Sequence, residues 1–244
     1  MLINFKKSLR FYLENISGVL GFALLFIFVV FFLGFNSVFV SSGSMFLDYL
    51  SIEKSSQSFL LFLIGFLAYL FFYSAFVVLM VFSIRNYLST VKLNYYITDK
   101  IRKFALKYFV FLLVFSVLSY AVIYLFSVVL GLKFLGFLLL AVFFCFFLFL
   151  PQSIVIDEES LFSSIQNNLE FSRKNPRRVF AVFFSSLVFF YFVVLLEFVL
   201  NYFFVPGEFV SMLIVVLFII PFMEVLKTVY YMEKFGLVKR TSLA

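Results

Sequence analysis

The chain of 244 residues has no histidine, no tryptophan, a single cysteine and few charges: 13% of its residues are Asp, Glu, Lys or Arg. Each scarcity excludes a class of chemistry. Without histidine there is no imidazole acid–base catalysis, no His-ligated metal and no Ser-His-Asp triad. One cysteine, Cys145, allows neither an internal disulfide nor a Cys-rich metal site. It lies in an apolar run and reads as a packed, inert thiol. No Walker loop, dinucleotide-binding GxGxxG or zincin motif is present, so the residues point to no cofactor.

What remains is overwhelmingly apolar. Hydrophobic residues make up 65% of the chain, and 44 of its residues are phenylalanine. Soluble domains run at about 45–50% apolar and about 25% charged. A chain this apolar must use lipid as the solvent for much of its surface, which makes it an integral membrane protein.

The uncharged runs set the expected spans. Val19–Val40 is long enough to cross a hydrocarbon core of about 30 Å. It is also longer than a secretory h-region, so we expect it to stay as a first span. Phe59–Phe82 is the second. From Tyr108 to Leu150 the one charge is Lys133. That stretch would reach about 64 Å as a helix, roughly twice the core, so it must fold back. Gly131-Leu132-Lys133 is the expected turn, between spans at residues 109–130 and 134–150. Residues 179–204 make a fifth span, Pro206-Gly207-Glu208 a tight turn, and residues 209–225 a sixth, kinked at Pro221. The expected fold is therefore all-α: one domain over residues 1–244, with six transmembrane helices at about 19–40, 59–82, 109–130, 134–150, 179–204 and 209–225.

Three polar connections carry helical periodicity. In the first, Phe5, Leu9, Tyr12, Leu13 and Ile16 share a face. In residues 84–107, Ile84, Tyr87, Leu88, Val91 and Tyr95 do the same. The third follows the acidic triplet Asp157-Glu158-Glu159 and ends at Arg173-Lys174-Asn175-Pro176. It carries Leu161, Phe162, Ile165 and Leu169 on one stripe. Acid at its start and base at its end suit a helix dipole. Asp157 suits an N-cap and Asn175 a stop. We expect three amphipathic surface helices, at residues 3–16, 84–107 and 157–174, each preceding a helical hairpin. In the third, Leu161, Phe162, Ile165 and Leu169 should face lipid or the bundle, and Glu158, Glu159, Gln166 and Arg173 water. Leu9, Phe11 and Asn15 align without gaps to Leu169, Phe171 and Asn175, which hints at duplication.

Of the 19 Lys and Arg, 17 fall at the N-terminus, in residues 83–107, in the central loop and in the C-terminal segment. By the positive-inside rule these are cytoplasmic, as are both termini. The net charge of +7 is thus spread over one face of a membrane protein. It suits attraction to anionic headgroups, not nucleic acid, for which no compact basic domain exists.

The central loop and its flanks also resemble a known group. Pro151, Ile154-Val155-Ile156, Glu158, Ser164-Ile165, Ser172 and the stretch Arg173–Arg178, with Pro221 and Tyr230-Tyr231, are similar to the membrane domains fused to some bacterial glycerophosphodiester phosphodiesterases and to their bacterial and archaeal relatives. The likeness covers roughly residues 151–235. Ser163-Ser164 stand where small residues such as Ala are usual. The resemblance implies a six-span membrane protein in the cell membrane. It implies no reaction, because the activity of the fused proteins lies in a domain that these 244 residues do not contain.

Few residues offer chemistry. Glu197 is the ionisable group well inside a span, and Asn201, one turn on, could hydrogen-bond it. Either the pair is structural or it belongs to a proton or solute site. Glu224 follows the Pro221 kink and could pair with Lys227 at the cytoplasmic interface, or form part of a gate. The expected function is a non-enzymatic scaffold, partner-binding or lipid-interacting component. Leu161, Phe162, Ile165, Leu169, Arg173 and Lys174 would be its contact with the membrane surface or with a membrane or cytoplasmic protein partner. The alternative is a small-solute transporter or permease subunit using Glu197, Asn201, Pro221 and Glu224. An enzyme is not expected.

Overall fold

The structure, a computed structural model, describes residues 2–14, 16–35, 38–47, 56–88, 97–203 and 206–233. Five helical segments are long and apolar enough to cross a membrane: Ser58–Asn86, Lys100–Val129, Phe134–Ile156, Pro176–Tyr202 and Gly207–Met232. The molecule is a helical membrane protein. Residues 48–55, 89–96 and 234–244, which hold Asp48, Glu53, Lys54, Lys92, Lys234, Lys239 and Arg240, lie outside the described residues.

In chain order, α1 is Leu2–Glu14 and α2 is Ile16–Leu33. Strands β1 (Val38–Ser41) and β2 (Ser44–Leu47) follow, then α3 (Ser56–Leu88) and α4 (Ile97–Tyr124). A π-turn at Leu125–Val129 ends α4. Next come α5 (Lys133–Phe146), α6 (Leu150–Ile156), α7 (Leu161–Lys174) and α8 (Pro176–Tyr202). The last hairpin arm is α9 (Gly207–Ile214), a second π-turn at Val215–Ile219, and α10 (Ile220–Met232).

Helix α10 is the centre. Every residue from Pro221 to Met232 is buried, and α1, α3, α6 and α8 pack around it. The outer walls are α4, α5 and α8, whose surfaces carry large exposed apolar side chains such as Val117, Phe134, Phe184 and Phe198. That inversion of soluble-protein patterning is what a lipid solvent permits.

The structure is overwhelmingly helical, in keeping with the expected all-α class, and three details differ. Where residues 19–40 were expected as one span, α2 ends at Leu33 and residues 38–47 form an antiparallel β-hairpin pairing Val38 with Leu47 and Ser41 with Ser44. An apolar run reads alike as buried helix or buried strand, and Val38-Phe39-Val40 is β-favouring. Its turn places Ser42 and Gly43 at φ 51 and 70, the paired positive angles of a two-residue hairpin. The first apolar helix is accordingly short, with Leu20–Leu33 its apolar part.

Of the helix expected over residues 84–107, residues 84–88 extend α3 and residues 97–107 begin α4; residues 89–96, with Val91 and Tyr95, lie outside the described residues. Finally, part of the apolar stripe of α1 is taken up by the bundle. It docks on α10 through Ser8, Phe11 and Tyr12, while Leu9 and Leu13 are exposed. The Phe5 ring meets Phe222 at 5.0 Å, edge to face.

The turn at Gly131 is found, with φ 68 and Leu132 N–H donating to the Phe126 carbonyl at 2.7 Å. Pro151 does not end a span. It opens α6, which continues the same apolar segment beyond a break at residues 147–149.

Candidate functional site

Glu197 sits on α8 and is 9% exposed. The β-hairpin closes over it. Ser42 N–H donates to Oε2 at 2.6 Å, Ser41 Oγ lies 3.4 Å from Oε1, and Ser211 Oγ of α9 donates to Oε2 at 2.7 Å. Both carboxylate oxygens thus have partners on other elements. Gly43 makes the approach possible. A Cβ there would stand 2.4 Å from Val215 Cγ2. Asn201 does not pair with Glu197. Its Oδ1 accepts from Gly207 N–H at 2.9 Å and closes the α8–α9 turn. The expected Glu197–Asn201 contact is replaced because the start of α9, six residues past Asn201, presents a helix-terminal N–H to the Asn201 side chain.

Pro221 follows the second π-turn. A residue with an N–H at position 221 would bond the carbonyl of Leu217 in an α-helix; proline cannot. The Tyr12 hydroxyl of α1 donates to that carbonyl at 2.8 Å.

Glu224 and Lys227 do form an ion pair, Nζ to Oε1 at 2.5 Å, but not at an interface with water. Glu224 is 3% and Lys227 8% exposed. Gln152 of α6, fully buried, donates its amide to Glu224 Oε2 at 2.9 Å. Thr228 Oγ1 donates to the Glu224 backbone carbonyl at 2.7 Å. The α3 and α4 phenols Tyr73 and Tyr108 lie within electrostatic reach of Glu224. Sequence reasoning missed Gln152, Tyr73 and Tyr108. A polar side chain directly after Pro151 was the available signal for Gln152, but it read as the start of a loop.

At this end of the bundle the acidic triplet is built into a polar layer. Asp157 Oδ2 accepts from the Tyr231 hydroxyl at 2.7 Å and from Ser153 Oγ at 2.9 Å. It therefore does not cap α7; Ser160 does, accepting from Ser163 N–H at 3.3 Å. Glu158 pairs with Arg85 and Lys100, each at 2.7 Å. Burial alone would raise its pKa, yet hydrogen bonds and charge from Lys100 and Arg85 outweigh burial and hold it below the usual carboxylate value. Arg85 also donates to the Val155 carbonyl at 2.6 Å, tying α3 to the end of α6.

Helix α7 ends at Asn175 as expected. Its inward face is Ser164, Asn168, Phe171 and Ser172, with Leu161 and Ile165 at the edge of the core. Phe171 packs between Phe149 and Tyr231, at 4.9 and 4.7 Å. Asn168 donates to the Phe146 carbonyl at 2.6 Å, filling the acceptor left by the α5–α6 break. Phe162 is 70% and Leu169 37% exposed. They lie with Gln166, Glu170, Arg173 and Lys174 on the outward side. Of the six expected contact residues, four therefore face out and two face in.

A scan against protein-family models and searches of curated proteins and of solved structures found no match to this chain. Its fold and site are read from its own residues.

Proposed function

We propose that this is a non-enzymatic, multi-pass protein of the cell membrane, with both termini cytoplasmic, that engages the anionic inner leaflet through its basic end. The α1–α2 segment would complete a six-span arrangement with the five long helices. The observation that carries this reading is the outward side of α7. Phe162 and Leu169 are exposed in line with Arg173 and Lys174, and exposed Arg102, Lys103 and Arg177 belong to the same end of the chain's spans. Apolar side chains flanked by cations suit the boundary between headgroup and acyl chain. A kinship with the phosphodiesterase-associated membrane domains agrees with this reading, and remains part of the proposal.

The transport alternative centred on Glu197 and Asn201 draws no support from the geometry. Glu197 is occupied by Ser41, Ser42 and Ser211, and Asn201 by Gly207. Both read as parts that hold the α8–α9 end together.

The test is lipid retention. The protein purified from mixed vesicles of phosphatidylglycerol and phosphatidylcholine should keep phosphatidylglycerol selectively, as read by native mass spectrometry. Substituting Arg173, Lys174 and Arg177 together by Gln should abolish that preference. Equal retention of the two lipids by the parent protein would refute the reading. A cysteine at position 166, in a Cys145→Ala background, should label from the cytoplasmic side alone.

A further inference from the structure

Two amphipathic helices with exposed cations, α1 and α7, pack near α10, and they meet it at different depths. Helix α7 does so at the polar end, where the Phe171 ring lies 4.7 Å from Tyr231 and Tyr231 bonds Asp157. Helix α1 does so deeper in the span Gly207–Met232. There Phe5 lies 5.0 Å from Phe222, and Tyr12 bonds the Leu217 carbonyl. The rise of α10 from Phe222 to Tyr231 is about 13 Å. A spanning helix tilted by up to about 40° still keeps about 10 Å of that along the membrane normal. The headgroup zone of one leaflet is about 5–7 Å deep. In a flat bilayer with α7 among the headgroups, α1 would be sunk in hydrocarbon.

The residues of α1 do not suit hydrocarbon. Lys6 and Arg10 are exposed, and Arg10 pairs with Glu14 at 2.8 Å. Phe5, Leu9 and Leu13 are exposed beside them. Apolar side chains next to cations belong at headgroup depth, and charges held below that depth draw in water and thin the bilayer. Helix α2 points the same way independently. Its apolar part, Leu20–Leu33, rises about 21 Å, against about 30 Å for an ordinary hydrocarbon core. From the other side of the membrane the β-hairpin turn reaches the same arm. Gly43 stands against Val215, close to the Leu217 carbonyl that Tyr12 holds, and Ser44 after the turn is exposed. By contrast, the span Lys100–Val129 in the outer wall has 30 residues.

We propose that the flank formed by α1, α2 and the β-hairpin is a lipid-thinning surface. Phospholipid phosphates are drawn inward to Lys6 and Arg10 of α1, and the acyl chains beside α2 are those that match its short apolar length. A helix shorter than the core is accommodated by thinning of the bilayer around it. The partner is therefore a phospholipid layer of reduced thickness. This surface rests on the membrane-spanning reading above and not on the anionic preference of α7. The two contacts differ in kind: α7 selects headgroup charge, and this flank selects chain length.

The chain has no tryptophan, so a single introduced indole reports its own surroundings. The experiment uses the full chain in phosphatidylcholine vesicles. Anionic lipid is absent, so a failure of the phosphatidylglycerol preference of α7 leaves these outcomes unchanged. Depth is read from Leu9→Trp on α1 and Leu169→Trp on α7, quenched by phosphatidylcholines brominated at shallow or deep acyl positions. Both should be shallow and at equal depth. Chain-length preference is read from Leu24→Trp on α2 and Val117→Trp on α4, both at exposed positions. Brominated docosenoyl lipid competes there with unbrominated tetradecenoyl lipid. We expect preference for the shorter lipid to be several-fold greater at position 24 than at position 117. Lys6→Met, Arg10→Met and Glu14→Gln together should bring position 24 to the value at 117, since α1 can then sink into hydrocarbon. A deep indole at position 9 would overturn the proposal. So would equal preference at 24 and 117, the result if α1 leaves α10, or a preference at 24 that the triple change does not alter.

Discussion

The hydroxyl of Tyr12 donates to the backbone carbonyl of Leu217 at 2.8 Å, four residues before Pro221. The proline removes the N–H that would otherwise reach this acceptor, and a tyrosine from the first helix supplies a substitute. The contact is reinforced by ring packing of Tyr12 on Phe218 at 5.2 Å. Leaving a part-buried carbonyl without a partner costs about 1–2 kcal/mol. Tyr12→Phe should therefore destabilise the protein by about that amount, read from unfolding in mixed detergent micelles. In a Pro221→Ala background the restored N–H can take the carbonyl, so the cost of Tyr12→Phe should shrink. An equal cost in both backgrounds would refute the relationship.

Glu197 offers a second test, and here geometry reverses the expectation from sequence. A lone carboxylate in hydrocarbon should welcome Glu197→Gln. With two oxygens already engaged by Ser41, Ser42 and Ser211, the amide keeps one acceptor and turns its NH₂ toward a donor. We expect Glu197→Gln to cost about 1–2 kcal/mol and Glu197→Leu more, because several donors are then stranded. Stability equal to or above the parent in Glu197→Gln would show that the hairpin does not depend on the carboxylate.

The hairpin turn gives a sharper contrast. Gly43→Ala incurs a left-handed backbone cost of about 1–2 kcal/mol. It also drives a methyl group into Val215, at 2.4 Å, and overpacking of this kind costs about 1–3 kcal/mol. Its neighbour Ser42 also has positive φ, and Ser42→Gly should relieve strain while keeping the N–H that Glu197 uses. Thermal midpoints of the two variants should move in opposite directions.

Glu158 carries the pH dependence of the polar layer. Its pKa in the folded protein is lowered despite burial, by Lys100 and Arg85. A group with a depressed folded pKa stabilises fully above its unfolded value, about 4.3 for Glu, and loses that contribution as pH falls through the folded value. The parent protein should accordingly exceed Glu158→Gln in stability at pH 7, and the two should converge in acid below about pH 4. A stability gap that persists unchanged into acid would argue against the ion pairs.

Some of this architecture is legible in the residues alone. Composition determined the solvent, since no soluble fold hides 65% hydrophobic residues. Run lengths located the long helices, and Gly131 and Asn175 marked real boundaries, because turn and cap chemistry is local. The face that each helix packs was not legible. In α7 the apolar stripe through Phe162 and Leu169 turned outward, while Ser164, Asn168 and Ser172 went in. In lipid an apolar side chain gains little by choosing the core over the bilayer, so periodicity stops reporting the inward side. Small and polar residues take the interface, where they allow close approach and satisfy backbone groups, as Asn168 does for Phe146. The docking of the β-hairpin on Glu197, the Tyr12–Leu217 bond and the bond from Gln152 to Glu224 join residues tens to hundreds of positions apart. Only tertiary structure decides them, because hydropathy records what a segment prefers as solvent and carries no record of which distant group will stand beside it.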